Sequence, residues 1–96
     1  MSQVVVVSIN TAKPGQEAQL EAAMRALIEP TRNDPGFIQY DLHRDLDDPS
    51  TFVFVERWIS RELLDQHLKT PHIQAFRAKA GDLLAAKTLR ILDQIG

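Results

Sequence analysis

The sequence predicts an α+β domain over residues 1–96 that follows the ferredoxin-like βαββαβ plan, with one antiparallel sheet and a broken second helix. Three observations support this prediction. A β-branched run opens the chain, two alternating runs lie close together in its middle, and a helical pattern flanks that pair on each side before a last alternating run. A chain of 96 residues has the size of one domain and leaves room for only a thin core.

The first strand and the first helix have clear patterns. Residues 3–11 are rich in valine and isoleucine, whose stiff side chains favour a strand, and both faces of this strand are apolar. The helix is predicted to begin at Pro14, because proline suits the first helical position, and to continue to Ile28. Pro30 and the turn-forming residues 33–36 are expected to end it.

A hairpin forms the middle of the predicted sheet. Residues 37–44 alternate between apolar and polar, residues 46–50 are rich in turn formers, and residues 52–59 return as the third strand. In this strand Phe54 and its second neighbours along the chain point to one face.

The remaining chain is predicted to form a broken helix and a fourth strand. Ser60 is a suitable N-cap for the first part of the helix, and Thr70 followed by Pro71 starts its second part. Residues 88–95 alternate again and close the sheet. The helices can cover one face of this sheet, yet the first and third strands are apolar on both, so we expect the second face to pair with another copy in a homodimer.

Composition excludes several classes of partner. The net charge is −2 without any block of like charge, so neither nucleic acid nor a membrane surface is expected as a partner. The apolar run near the N-terminus is too short for a signal or a membrane span, and we expect a cytoplasmic protein. The absence of cysteine excludes disulfides and thiolate chemistry.

Glu56 and Trp58 are candidate site residues on the third strand. A carboxylate between the aromatic residues Phe54 and Trp58 must be paired or have a raised pKa if that face is buried. Two interpretations stay open for each residue: Trp58 fills the core or stacks on a planar ligand, and Glu56 pairs with an arginine or binds a substrate hydroxyl.

The histidines are candidates for proton transfer. His67 lies beside the apolar stripe of the first half of the broken helix, and His72 lies in the first turn of the second half, so the two are expected to meet at one cleft. The alternative is that both have structural roles. His43 is a candidate ligand-binding residue if it pairs opposite Phe54, and that register would place Tyr40 on the other face of the sheet. No His-x-x-x-His pair lies within one helix, so we expect no metal site.

Three stretches carry a resemblance to a known family. They are KPGQEAQLEAAMRALIEPTR, DPGFIQYDLHRDLDDPSTFVFVERW, and the spaced residues from Ser60 through the double histidine to Phe76. With these stretches, which cover nearly the whole chain, the sequence resembles the antibiotic biosynthesis monooxygenase domains, whose members are dimeric α+β barrels.

This resemblance implies a cofactor-independent monooxygenase. A small aromatic or quinol-like substrate would bind between sheet and helices and react with dioxygen without metal or flavin. His67 or His72 would be the catalytic base; Phe54, Trp58 and Phe76 would surround the ring, and Glu56 would anchor it.

Other activities occur in the resembling family and stay open as alternatives. They are an isomerase or tautomerase of a small carbonyl compound, with or without a phosphate group, and a non-catalytic small-molecule-binding dimer. A haem-degrading activity is not expected, because the position of the ligating histidine in those relatives falls near Arg77 here.

Overall fold

A computed structural model describes residues 3–96 of the chain and confirms the predicted βαββαβ plan. Its strands are antiparallel and lie in the order β2-β3-β1-β4. The elements are β1 (Val4–Ala12), α1 (Glu17–Arg25), α2 (Ile28–Thr31), β2 (Phe37–Arg44), β3 (Thr51–Trp58), α3 (Arg61–His67), α4 (Pro71–Leu83) and β4 (Leu84–Leu92).

The core lies between one face of the sheet and the helices. Aromatic residues of β2 and β3 meet leucine, methionine and phenylalanine side chains of the helices there. The residues with the least exposed side chains include Trp58, Phe52, Leu20, Met24 and Leu64. Within residues 3–96, no helix is long and apolar enough to cross a membrane.

The break between α3 and α4 was predicted correctly. Ser60 caps α3 by accepting a hydrogen bond from the Leu63 N–H at 3.2 Å. Thr70 is the N-cap of α4, and Pro71 follows it as the first helical residue. The two helices are therefore separate elements whose ends meet at one place.

Two proline predictions and one strand boundary were wrong. Pro14 lies in a turn before α1 and not in the helix. Pro30 lies inside α2, a short helix that follows α1, and therefore does not end the helical segment. The fourth strand begins at Leu84, four residues before the predicted start, because the chain passes from α4 directly into the strand. Its pairing with β1 favours extended backbone over the helical pattern of the local sequence.

The predicted hairpin register was also wrong. Phe37 pairs with Trp58 but Gln39 pairs with Arg57, so Ile38 is an extra residue in a β-bulge. Beyond the bulge, Tyr40 pairs with Glu56 and therefore lies on the helix-covered face.

His43 is moved to the other face by the same bulge. It pairs with Val53, not Phe54, and its exposed side chain has Nδ1 3.3 Å from the Val53 carbonyl oxygen. The expected ligand-binding place of His43 beside Phe54 is therefore not observed. A bulge changes the side of every residue after it, and simple alternation could not anticipate this change.

Candidate functional site

A hydrogen-bonded cluster lies where α3 ends and α4 begins. His67, the last residue of α3, has Nδ1 2.8 Å from Oδ2 of Asp34, a residue of the turn before β2. His72, in the first turn of α4, has Nε2 2.8 Å from the same oxygen. We call Asp34, His67 and His72 the histidine–aspartate cluster. One carboxylate thus orients both imidazole rings.

Thr70 fixes the two histidines relative to each other. Its hydroxyl donates to the carbonyl oxygen of His67 at 2.8 Å and accepts from the Ile73 N–H at 3.4 Å. The same side chain therefore joins the end of α3 to the start of α4. This local sequence places both rings on the side where Asp34 lies.

Trp58 lies beneath His67 in the core. The two ring centroids are 4.3 Å apart with an interplanar angle of 32°, and Trp58 has no exposed surface. Its Nε1–H donates to Glu56 Oε1 at 3.0 Å. Trp58 thus supports the histidine and the carboxyl group, and this arrangement favours its core role over direct stacking on a ligand.

Burial sets the proton affinity of the two titratable groups beside Trp58. Burial raises the pKa of Glu56 to about 7, against the opposing effects of the Trp58 hydrogen bond and the charge of Lys87. For His67, burial lowers the pKa, and the hydrogen bond to Asp34 opposes this effect. Near neutral pH, His67 is therefore an unprotonated base and Glu56 is partly protonated.

A small cavity of about 50 Å³ lies between the sheet and the helices, next to His67. The side chains around it are mostly apolar or aromatic, and the polar groups come from all four strands and from α3 and α4. Its lining includes Asn10, Tyr40, Phe54, Glu56, His67, Phe76, Arg77 and Lys87. Such a cavity suits the apolar part of a small ligand.

The free nitrogen of His67 is available for chemistry. Since Nδ1 bonds to Asp34, the other ring nitrogen, Nε2, is the one left over, and it has no hydrogen-bond partner within residues 3–96. A carboxylate that accepts the Nδ1 proton selects the tautomer with a lone pair on Nε2. The cluster can therefore accept a proton from a ligand hydroxyl in the cavity.

The structure brings together most of the residues that the sequence singled out. Glu56 and His67 line the cavity with Phe54 and Phe76. His72 meets His67 through Asp34 but lines a separate shallow groove between α1 and α4, not the cavity. Trp58 is adjacent but fully covered. His43 lies outside this group.

Three site residues were missed by the sequence analysis. Asp34 was interpreted only as a turn former, and Tyr40 was assigned to the wrong face. Asn10 is buried on β1, and its Nδ2 donates to the Ser8 hydroxyl at 3.0 Å. Alternation along β1 could have identified Asn10, because two polar residues share the face of Val6.

The histidine–aspartate cluster also has nitrogen and oxygen atoms of the kind that coordinate a divalent transition metal. Its three ligand atoms lie within 4.8 Å of one another, an arrangement that sequence spacing within one helix could not predict. Metal-bound histidines usually donate their second N–H to an oriented acceptor. Within the described residues, neither His67 Nε2 nor His72 Nδ1 has such a partner. The other two ring nitrogens, His67 Nδ1 and His72 Nε2, are both at hydrogen-bond distance from Asp34 Oδ2. The geometry is that of a hydrogen-bonded cluster.

Comparison with known proteins finds relatives over nearly the whole chain. The family model described as "Antibiotic biosynthesis monooxygenase" matches residues 2–79. The Mycobacterium tuberculosis protein named "Putative monooxygenase Rv0793" is 37% identical over 86% of this chain and 81% of its own length. The solved structure of Rv0793 has a TM-score of 0.93 at 33% identity and covers 99% of this chain and 97% of that one.

Two further relatives have less informative names. The Synechocystis "Uncharacterized protein sll1783" is 37% identical over 85% of this chain, which spans only 56% of that protein's length. The crystal structure of PA3566 from Pseudomonas aeruginosa has a TM-score of 0.95 at 31% identity and covers 100% of this chain and 97% of that one.

Proposed function

The chain belongs to the antibiotic biosynthesis monooxygenase family, and from this premise we propose that it oxidises a small phenol or quinol with dioxygen, without a bound metal, haem or flavin. The observation that carries the proposal is the pairing of His67 with Asp34 beside a largely apolar cavity. Such an oxidation needs a base, an apolar enclosure and a source of a proton for the leaving oxygen.

His67 acts as the base in this proposal. Its Nε2 takes the proton of the substrate hydroxyl, and Asp34 stabilises the imidazolium that forms. The lowered pKa of His67 keeps the ring unprotonated near neutral pH, so the base is ready when substrate binds.

The resulting anion is electron-rich and reduces dioxygen without a cofactor. One electron passes to dioxygen, the two radicals combine, and a carbon–oxygen bond forms. For a quinol, cleavage of the oxygen–oxygen bond then leaves one oxygen atom on the ring as a hydroxyquinone and releases the other as water. The substrate supplies all the electrons, and Glu56 in its protonated form supplies a proton to the departing oxygen, which suits its pKa of about 7.

The test measures oxygen consumption with hydroquinone, using protein treated with a chelator. His67→Ala should lower kcat by roughly 10²–10⁴, the usual contribution of a general base, with a smaller change in KM. Gln66→Ala is the matched control, since Gln66 is the exposed neighbour of His67 on α3. Oxygen uptake that His67→Ala leaves unchanged, or that the chelator abolishes, would overturn the proposal.

An isomerase of a small phosphorylated carbonyl compound is the second candidate. The observation that favours it is the presence of Arg77 and Lys87 beside the cavity, because two cations suit a phosphate group. In that case, His67 and Glu56 would transfer protons next to the carbonyl. Turnover would then proceed at the same rate in the absence of oxygen, which separates the two candidates.

A further inference from the structure

The cavity beside His67 opens to solvent between α4 and β4. Most of the residues around it are buried, whereas Arg77 of α4 and Lys87 of β4 are its two exposed lining residues in the described part of the chain. The opening is therefore bordered by two positive charges on a chain whose net charge is −2.

Neither of these two cations forms an ion pair in the described part of the chain, although the carboxyl group of Glu56 lies in the same cavity. Within residues 3–96, neither Arg77 nor Lys87 lies within 4.0 Å of a carboxylate oxygen, while four other arginine side chains do. The Lys87 ammonium is 6.0 Å from the ring centroid of Phe76, another residue of the cavity. Loss of hydration lowers the pKa of Lys87 and the charge of Arg77 lowers it further, while the carboxyl group of Glu56 opposes both effects. An anion placed between the two cations would relieve this repulsion.

The size of the cavity limits how a ligand can lie in it. Its volume of about 50 Å³ is well below the roughly 150 Å³ of a cavity that holds benzene. An aromatic ring therefore cannot lie wholly inside and must reach toward the opening. The buried carboxyl group of Glu56 disfavours an anionic substituent at the inner end, so such a substituent belongs at the outer end.

We propose that the cavity selects small aromatic ligands whose hydroxyl group points inward to His67 and whose anionic group, a carboxylate or a phosphate, is bound by Arg77 and Lys87 at the opening. Arginine binds either group through two parallel hydrogen bonds, and lysine adds a point charge. That such a ligand is also the substrate rests on the proposed function.

The test compares three ligands that share one ring. They are hydroquinone, 2,5-dihydroxybenzoate and 4-hydroxyphenyl phosphate, with binding measured by calorimetry in the absence of oxygen. A charge-assisted pair should make at least one of the anionic ligands bind about 10–100-fold more tightly than hydroquinone. The tighter of the two anionic ligands identifies the group as carboxylate or phosphate. Raising the salt concentration should weaken anion binding more than hydroquinone binding.

Matched variants distinguish anion binding by Arg77 and Lys87 from a general attraction of anions to the positive charges of the surface. Arg77→Gln and Lys87→Gln should each remove most of the preference for the anionic ligand and should weaken binding of the anionic ligand more than binding of hydroquinone. Lys79→Gln is the control, since Lys79 is an exposed cation of α4 that does not line the cavity. Equal binding of all three ligands, or an equal loss from Lys79→Gln, would overturn the inference.

Binding and turnover can fail independently in this experiment. An anionic preference that depends on Arg77 and Lys87, without oxygen uptake, would support the inference and contradict the proposed monooxygenase. Oxygen uptake with hydroquinone, without any anionic preference, would support the monooxygenase and contradict the inference.

Discussion

At the scale of single residues, Glu56 links the candidate site to stability. The residue is 5% exposed, and its raised pKa means that the folded chain holds a proton that the unfolded chain has released between pH 4.5 and about 7. The stabilising contribution of this proton is therefore present below pH 4.5 and is lost as the pH rises through about 7.

We predict that Glu56→Gln removes this pH dependence. Since a pKa difference of one unit corresponds to about 1.4 kcal/mol, the variant should gain roughly 2–4 kcal/mol in unfolding free energy relative to the wild type between pH 4.5 and pH 8. Denaturant unfolding of both proteins at several pH values measures this difference. His67 has a lowered pKa, so its contribution to the unfolding free energy changes with pH in the opposite direction. Because both proteins contain His67, the difference between their unfolding free energies isolates the contribution of Glu56.

A matched control uses an exposed carboxylate. Glu29 lies on α2 with its side chain 82% exposed, and Glu29→Gln should change the unfolding free energy little, because it removes only an exposed ion pair with Arg32. If the difference in unfolding free energy between the wild type and Glu56→Gln does not change with pH, Glu56 binds protons equally in the folded and unfolded chains, which would contradict its raised pKa.

The residues of the candidate site differ in how far the sequence could identify them. Glu56 and Trp58 follow from strand alternation, and His67 follows from helical spacing, because both signals are local. Asp34 lies more than thirty residues from the histidines that it orients, in a turn where aspartate already has a local explanation. Only the folded arrangement of three elements reveals its second role.

At the scale of elements, local sequence signals predict the regular segments, whereas the irregular ones depend on contacts between distant parts of the chain. The order of strands and helices follows from hydrophobic period, and the caps at Ser60 and Thr70 follow from side-chain chemistry. Neither the hydrophobic period nor capping chemistry predicts the bulge at Ile38. The extra residue becomes visible only in the pairing of β2 with β3. The early start of β4 likewise depends on its pairing with β1.

Gly36 lies in the turn before β2 and packs against α3, and we predict that Gly36→Ala strongly destabilises the fold. Its φ of +82° is strained for alanine, and an added Cβ would lie 2.6 Å from Leu63 Cβ and Cδ1 on α3. We expect a loss of about 2–5 kcal/mol in unfolding free energy, from backbone strain plus overpacking. Denaturant unfolding at one protein concentration measures it.

Gly15→Ala is the matched control for this prediction. Gly15 has a φ of +86°, yet an added Cβ would meet no atom within 4 Å. This variant should show only the strain term of roughly 1–2 kcal/mol. Equal losses for the two variants would mean that α3 shifts without cost, and the contact with Leu63 would then have no energetic role.

At the scale of the whole molecule, the uncovered face of the sheet sets the expected assembly. On this face Val7 pairs directly with Val55, and Ile9 pairs with Val53, so the centre of the sheet presents an apolar patch. Ile9 is 39% exposed and Leu92 is 43% exposed. We infer a homodimer in which two copies of this face meet, because a two-fold axis brings the same patch of both chains together and covers it.

Val7→Glu tests this dimer, since it places a charge at the centre of the patch and leaves the helix-covered face unchanged. In a two-fold interface the new carboxylate would be buried near its own copy, and burial of an unpaired charge is strongly unfavourable. We expect the wild type to sediment as a dimer at micromolar concentration and to show a Tm that rises with protein concentration, whereas Val7→Glu should be monomeric with a lower, concentration-independent Tm. Gln74→Glu adds the same charge at an exposed position of α4 and should stay dimeric. A wild type that is a stable monomer, or a Val7→Glu variant that still dimerises, would contradict the assembly through this face.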